Sequence, residues 1–222
     1  MHHIEIYGGN SALERVKILI QDVVLGHVPL PFHVDYIPLK AGIIFEDKSF
    51  ILSAFPVSHR GTGCFGFVFE EKPHYPFNAD KAIMLGIPNG PERRKLVEGK
   101  TIILNDGRMI SPDDVLEPAI HGTKLVFIAD VGETAELVDI AQDAHALVIE
   151  ATYVNRDVKM ARQFGHITAA EGATLAKMAN VKNLYLTHLS RRYHSHEVLA
   201  EAQAIFPNTI VVNDLDRVQV TR

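Results

Sequence analysis

The sequence predicts an α/β fold with a protruding arm, and three stretches of its 222 residues support this prediction. Up to Glu71, a β-turn-α start is followed by short β-type runs. From Lys124 onward, strands alternate with helices, which is typical of a mixed sheet covered by helices on its outer face. The segment between them is rich in proline and glycine and has little of its own to bury, so we expect an arm. The predicted parts are therefore 1–71, 72–122 and 123–222.

Periodicity and turn residues set the individual elements. Apolar alternation predicts the strands, and apolar residues at helical spacing predict the helices; Thr168 is a candidate N-cap. The predicted strands are 4–7, 36–39, 42–46, 51–57, 64–69, 124–129, 146–150, 184–187 and 209–213. The predicted helices are 12–24, 79–85, 134–142, 169–179 and 197–205.

Composition indicates an ordinary folded protein, with 47% hydrophobic and 22% charged residues. The formal charge of −5 means that any contact with nucleic acid must come from local basic clusters and metal ions. The single cysteine, Cys64, excludes an intrachain disulfide and indicates a reducing, cytoplasmic compartment. No apolar run approaches the roughly 20 residues that span a bilayer, so we expect no membrane association.

Four polar residues come at the ends of predicted strands: His59, Asp130, Glu150 and His188. Active sites of layered α/β folds gather at such ends. Zinc binds imidazole and carboxylate groups, and a carboxylate can bridge two ions. Taken singly, each residue has a second interpretation, because a strand-end histidine is often a surface residue and an aspartate there is often a helix cap.

From about Phe55 onward, the chain resembles the ribonuclease Z family in a series of ordered segments. The most specific of them is Thr-His-Leu-Ser-Arg-Arg-Tyr at 187–193. The other matching segments are 58–60, 65–70, 85–91, 96–100, 105–108, 127–130, 149–153 and 165–168. The resemblance implies a metallo-β-lactamase-like αββα sandwich with a protruding arm.

The resemblance also implies roles for the strand-end residues. His59 is similar to a ligand of a first zinc ion, Asp130 to the carboxylate that bridges two, and His188 to a ligand of the second. His166 is similar to the histidine that protonates the leaving 3′ oxygen, and Glu150 to the glutamate that holds its tautomer. For Glu150, an ordinary strand-end acid is the alternative.

The arm resembles the family's tRNA-binding exosite. Its cations, and two arginines after His188, are implied to contact RNA phosphates. Without the resemblance, three adjacent basic residues indicate only a solvated face. The residues implied in RNA binding are Gly90, Pro91, Arg93, Arg94, Lys95, Arg191 and Arg192.

The family's defining His-x-His-x-Asp-His loop is absent from the sequence, and His194-Ser195-His196 lies in the wrong place to replace it. In relatives this loop precedes the segment that resembles 4–11, so we expect an N-terminally incomplete sandwich. Neither zinc then reaches four protein ligands, and a bound water would not have its pKa lowered toward neutrality. We therefore expect little activity from this polypeptide alone.

Three explanations remain open: a truncated gene, a chain complemented by a separate N-terminal segment, and a degenerate relative used for binding. The joint presence of the five strand-end and loop residues favours a missing segment.

The resemblance implies a zinc-dependent endoribonuclease that removes the 3′ trailer of precursor tRNA through in-line attack by a metal-activated hydroxide, in a homodimer. The alternatives are another metallo-β-lactamase-fold hydrolase of esters or phosphodiesters, and a non-catalytic RNA-binding relative.

Overall fold

The computed structural model describes residues 3–26, 28 and 32–221. The chain divides into two compact units. The small unit is Glu71–Gly122, and the large unit contains the described residues before and after it.

Most strands belong to the large unit. A separate parallel pair joins β1 to β2, and a seven-stranded mixed sheet has the order β11-β10-β9-β8-β5-β4-β3. The strands are β1 His3–Gly8, β2 His33–Pro38, β3 Gly42–Glu46, β4 Phe50–Pro56, β5 Phe65–Glu71, β6 Ile102–Ile103, β7 Met109–Ile110, β8 Lys124–Phe127, β9 Ala146–Glu150, β10 Asn183–Thr187 and β11 Thr209–Val211.

The helices are mostly short, and the first continues into a π-helical turn, Leu19–Val24. They are α1 Asn10–Ile18, α2 Ala79–Met84, α3 Pro91–Val97, α4 Val138–Ala141, α5 Val158–Phe164, α6 Ala169–Met178 and α7 Ser195–Gln203. The predicted helix at 134–142 is instead a 3-10 turn, Ala135–Leu137, followed by α4. The predicted cap is present, because the Thr168 side chain accepts a hydrogen bond from the Glu171 N–H.

The core of the large unit lies between the central strands and their helices. β8, β9, β10 and β11 run parallel, and the apolar side chains of β9 and β10 are fully buried on one face. Helix α6 closes on that face at Gly172, where an added Cβ would lie 3.4 Å from Ile149 Cγ2 and 3.6 Å from Leu186 Cδ2. Burying each such leucine or isoleucine contributes about 1.5–3 kcal/mol.

The opposite face of the sheet is less completely covered. Phe127, on the inner strand β8, is 42% exposed, and Ile210, on the edge strand β11, is 49% exposed. Ile18 and Val24, at the end of α1 and of its π-helical turn, are also exposed.

The small unit has a core of its own, so the expectation that it has little to bury was wrong. Helices α2 and α3 and the β6–β7 hairpin enclose side chains that are at most 5% exposed. They are Ala82, Ile87, Leu96, Ile102, Ile110 and Val115. These residues are scattered between prolines and glycines without helical or strand periodicity, which is why the sequence pattern did not reveal them.

Among the described residues, no helix has the length and apolar character that crossing a membrane requires.

Candidate metal centre

The candidate ligands follow the ends of strands and lie at one edge of the large sheet. His59 lies in the loop after β4, Asp130 lies three residues after β8, and His188 follows β10 directly. Because β8, β9 and β10 are parallel, their carboxyl ends lie at the same edge. The structure thus brings together residues that are up to 129 positions apart in the sequence.

Asp130 lies between the two imidazoles. His59 Nε2 is 3.6 Å from Asp130 Oδ2, and His188 Nε2 is 3.3 Å from Asp130 Oδ1. Two ligands about 2.1 Å from a tetrahedral ion lie about 3.4 Å apart, so both distances fit ligands that share an ion. Since each histidine faces a different carboxylate oxygen, the arrangement suits a carboxylate that bridges two ions.

The orientation of His59 is fixed by a neighbouring loop. Its Nδ1–H donates to the Gly165 carbonyl at 2.6 Å, which leaves Nε2 free to bind an ion. Arg60 Nε donates to the Phe164 carbonyl, also at 2.6 Å, and ties the same two loops together. Gly165 has φ +69°, and an added Cβ would lie 3.0 Å from Arg60 Cγ. This close approach requires glycine at 165.

The backbone is strained at two of these positions. His188 has φ +55° and Arg60 has φ +35°, a region that residues with a side chain rarely adopt. The Thr152 hydroxyl oxygen lies 3.0 Å from the His188 carbonyl oxygen, so Thr152 is in direct contact with this backbone turn. Strain of this kind concentrates at functional sites.

A buried glutamate supports the third histidine. Glu150 is fully buried, and its carboxylate accepts hydrogen bonds from the Val131 N–H at 2.7 Å and from the Thr152 hydroxyl. His166 Nδ1 donates to the same carboxylate at 2.9 and 3.1 Å. Because Nδ1 carries the proton of that bond, Nε2 is the nitrogen available for chemistry.

The ring of His166 lies beside both candidate ligands. Its centroid is 5.0 Å from that of His59 and 5.5 Å from that of His188. Among the described residues, His59, Asp130 and His166 each offer a potential ligand atom within 4.8 Å of the others. His166 can therefore either bind an ion through Nε2 or act on a group bound there.

Thr152 lies within the segment 149–153 that resembles the family, and no role was predicted for it. Its hydroxyl contacts both the Glu150 carboxylate and the His188 carbonyl. The available signal was its position two residues after Glu150, where an extended chain turns the side chain to the same side.

Tyr193 is the last residue of the segment 187–193 that resembles the family, and no role was predicted for it. Burial, and then its hydrogen bond to Asp157, raise the pKa of Tyr193 to about 12. Arg156 lies over the Tyr193 ring, 5.2 Å from its centroid. These contacts anchor the end of the segment that begins with His188.

The predicted RNA-binding cations differ in their surroundings. Arg93 is half-buried, donates from Nη2 to the Ile87 carbonyl at 2.9 Å and lies over the Phe77 ring. Arg94 is 82% exposed and pairs with Glu98, and Lys95 is exposed.

The remaining predicted RNA contacts also have definite positions. Gly90, with φ +139°, immediately precedes α3, and Pro91 is the first residue of that helix. Arg191 and Arg192, in the large unit, are exposed.

The fold and the histidine–carboxylate centre define a metallo-β-lactamase-fold protein. The chain is similar to the solved structure of the metallo-β-lactamase-fold protein YhfI of Bacillus subtilis, with a TM-score of 0.59 and 15% identity over 96% of this chain and 63% of that one. It is also similar to the solved structure of human tRNase Z, short form, with a TM-score of 0.60 and 20% identity over 100% of this chain and 70% of that one. Both likenesses concern the fold.

Sequence similarity supplies the family. The Ribonuclease Z of Bradyrhizobium diazoefficiens is 42% identical over 216 residues, which cover 97% of this chain and 71% of that protein. The chain belongs to the ribonuclease Z family, the hydrolytic endoribonucleases of this fold. It spans between 63% and 71% of the lengths of these three proteins. No protein-family model matches the chain.

Proposed function

We propose that the protein acts as a zinc-dependent endoribonuclease that removes the 3′ trailer of precursor tRNA by cutting just after the discriminator base. The observation that carries this proposal is the placement of His59 and His188 on opposite oxygens of Asp130, beside a histidine paired with a buried glutamate. Membership of the ribonuclease Z family supports the choice of RNA as substrate.

His59, Asp130 and His188 are the residues that would hold the zinc. Their nitrogen and carboxylate donors match the ligands that zinc prefers, and the 3.3 and 3.6 Å separations match a shared coordination sphere. When bound, zinc would supply an activated water and would neutralise charge on the phosphate.

His166, oriented by Glu150, would donate a proton to the leaving group. Glu150 accepts from His166 Nδ1, and this keeps the exchangeable proton of a charged ring at Nε2. From there it passes to the 3′ oxygen as the phosphodiester bond breaks. Burial of Glu150 excludes water from the pair, so the proton's destination is set by the ring's position.

The centre needs further ligands, because three shared side chains leave each of two zinc ions short of four. We assign them to a segment with the His-x-His-x-Asp-His pattern, on the same polypeptide or on a second chain. The half-covered face of the sheet at Phe127 and Ile210 and the exposed apolar end of α1 offer a surface against which such a segment can pack.

The small unit would bind the tRNA body. Arg94 and Lys95 are the cations of this unit best placed to meet phosphates, because their side chains are exposed, whereas Arg93 is engaged with Ile87 and Phe77. Changing Arg94 and Lys95 together to Glu should weaken tRNA binding in a mobility-shift assay. Changing the exposed Lys177 of α6 to Glu is the control. Equal affinity for all three proteins would remove the RNA-binding role.

The proposal includes a homodimer in which the small unit of one subunit binds tRNA for the other subunit, and sedimentation analysis tests it.

The cytoplasmic location also stays a prediction, which rests on the single cysteine.

The deciding experiment restores the missing ligands. A segment bearing His-x-His-x-Asp-His is fused to the chain or added in trans, and zinc content and precursor tRNA cleavage are measured. We expect two zinc ions per chain and a single cut at the 3′ trailer. Zinc loading without cleavage of any precursor would contradict the proposal. Strong cleavage without the added segment would show that the assigned ligand requirement is wrong.

A second variant separates tRNA processing from general phosphodiester hydrolysis. An added Cβ on Gly122 would lie 2.1 Å from the Glu71 carbonyl oxygen, so these two ends of the small unit touch and a short glycine linker can replace 72–121. Without the small unit, the restored enzyme should lose precursor cleavage but keep hydrolysis of bis-p-nitrophenyl phosphate. Retention of both activities would favour a different hydrolase of this fold.

A further inference from the structure

A cavity of about 500 Å³ opens next to His188, on the side of that residue where β10 and β11 end. Its volume falls within the roughly 300–1,000 Å³ that is typical of small-ligand pockets. The residues that line it include Thr187, His188, Ser195, Val211, Asn213 and Asp214. His188 belongs both to this cavity and to the candidate metal centre.

Two side chains of the cavity, Asp214 and Asn213, present hydrogen-bond acceptors. The Asp214 carboxylate is exposed and has no partner among the described residues. The Asn213 amide nitrogen donates to Asp216 Oδ2 at 3.3 Å, and this leaves the Asn213 amide oxygen free to accept. The backbone N–H of Asn213 donates to the same Asp216 oxygen at 2.8 Å, which fixes the turn that presents both side chains.

The hydrogen-bond acceptors of the cavity favour the base of a nucleotide over its phosphate. Among the described residues, no lysine or arginine lines the cavity, and a carboxylate repels a phosphate, so a phosphate group is a poor fit. A nucleobase with an amino group fits better, because carboxylate and amide oxygens accept hydrogen bonds from exocyclic amines. The apolar wall at Val211 can contact the face of the base.

We propose that this cavity binds the base of the nucleotide next to the scissile phosphate and prefers bases that carry an exocyclic amine, through Asp214 and Asn213. The identification of the neighbouring phosphate as the scissile one rests on the proposed function. Uracil, which presents two carbonyl oxygens and no amine, is the disfavoured base.

The test is a titration of the full, metal-free chain, followed by amide chemical shifts in two-dimensional NMR. Cytidine, adenosine, guanosine and uridine monophosphates and inorganic phosphate are the probes. We expect the amides of Ser195, Val212 and Asn213 to shift with the three amino-bearing nucleotides, at affinities about tenfold higher than for uridine monophosphate. Inorganic phosphate should leave these amides unchanged.

Two variants make the result specific. Asp214→Ala should bring the affinities for the amino-bearing nucleotides down to the uridine value, while Asp139→Asn, an exposed acid on α4, should leave them unchanged. The spectra themselves report whether each variant is folded. Equal affinity for uridine monophosphate, identical shifts with phosphate alone, or undiminished binding by the folded Asp214→Ala variant would each overturn the inference.

This experiment uses neither metal nor tRNA. If the cavity shows no base selectivity, its proposed role fails, while the endoribonuclease function is still decided by zinc content and precursor cleavage. If instead precursor cleavage fails, the base selectivity of the cavity is still decided by the nucleotide titration.

Discussion

At the scale of single residues, Glu150 is the most constrained group of the site, since it is fully buried and accepts hydrogen bonds from Val131, Thr152 and His166. A buried carboxylate is stable only when such donors surround it. The same three donors fix its position, and through it the ring of His166.

Glu150→Gln removes the charge and forces one of these donors to meet an amide N–H. We expect the free energy of unfolding to fall by about 1–3 kcal/mol, which urea denaturation measures. The exposed Glu133, changed to Gln, is the control and should alter stability by less than about 0.5 kcal/mol. An unchanged midpoint for Glu150→Gln would mean that the buried network is not formed as described.

Gly165→Ala tests the loop that orients His59. The new methyl group meets Arg60 Cγ at 3.0 Å and His59 Nδ1 at 3.5 Å in a left-handed backbone conformation. We expect a loss of about 1 kcal/mol in stability from the backbone alone, and in addition a weaker affinity for zinc because His59 must move. Calorimetry measures both quantities.

Gly107→Ala is the matched control for that prediction. Gly107 has φ +87°, but an added Cβ finds no atom within 4 Å. The control should show the loss of stability without the loss of zinc affinity. If both variants bound zinc like the unchanged protein, the contact between the 165 loop and His59 would have no role in the centre.

Tyr193 makes stability depend on pH at alkaline values. Its pKa is raised by burial and by Asp157 to about 12 in the folded protein, above the value of 10.0 for a free tyrosine. The folded state therefore keeps a proton that the unfolded chain has lost between pH 10 and 12. The stabilisation is complete below pH 10 and disappears as pH rises through 12.

Tyr193→Phe should be less stable than the unchanged protein by about 1 kcal/mol at pH 9, because the hydrogen bond to Asp157 is lost. That difference should narrow as pH rises from 10 to 12, since phenylalanine has no proton to release. Denaturation at a series of pH values gives the two curves, with the exposed Tyr75→Phe as control. Parallel curves for Tyr193→Phe and the unchanged protein would contradict the explanation.

At the scale of secondary structure elements, α6 positions the site because its first turn follows the loop that carries His166. Thr168 and Glu171 form a reciprocal cap: Thr168 N–H donates to Glu171 Oε2 at 2.9 Å, and Glu171 N–H donates to the Thr168 hydroxyl at 3.3 Å. Thr168 is also completely buried.

Thr168→Ala removes half of this cap and should cost about 1 kcal/mol of unfolding free energy, measured by thermal denaturation. Thr174→Ala, in the middle of the same helix, is the control, because its exposed hydroxyl only bonds back to the Ala170 carbonyl. A control that is destabilised as much as Thr168→Ala would show that the cap has no special effect.

Elements with a strong apolar period were predictable, and elements without one were not. The parallel strands β9 and β10 are apolar runs of the kind that a two-sided buried strand requires, and the cap at Thr168 marked the start of α6. Helix α5 was missed because only Ala161 of its seven residues is buried, so its sequence lacks an apolar stripe. The two-residue strands β6 and β7 are too short to show any alternation.

At the scale of the whole molecule, the two units differ in what they contain. The large unit holds the candidate metal centre, and the small unit folds around its own core at Leu96 and Val115. The small unit therefore has the packing of a structured element, which favours a preformed binding surface over a flexible tether.

The candidate site was predictable only in part. Positions at strand ends pointed to His59, Asp130 and His188, because parallel strands bring their ends to one edge. His166 lies in a loop between two helices and was found only through its resemblance to a family segment. Thr152 and Gly165 depend on distances of a few ångströms between loops, which sequence periodicity does not encode.

The central claim is that His59, Asp130 and His188 form one metal centre, and titration calorimetry with zinc tests it most directly. The protein should bind zinc, and alanine at each of these three positions should lower the affinity at least about tenfold. His74→Ala, in the small unit, should not change it. Zinc affinity that is unchanged in all three alanine variants would contradict the shared centre.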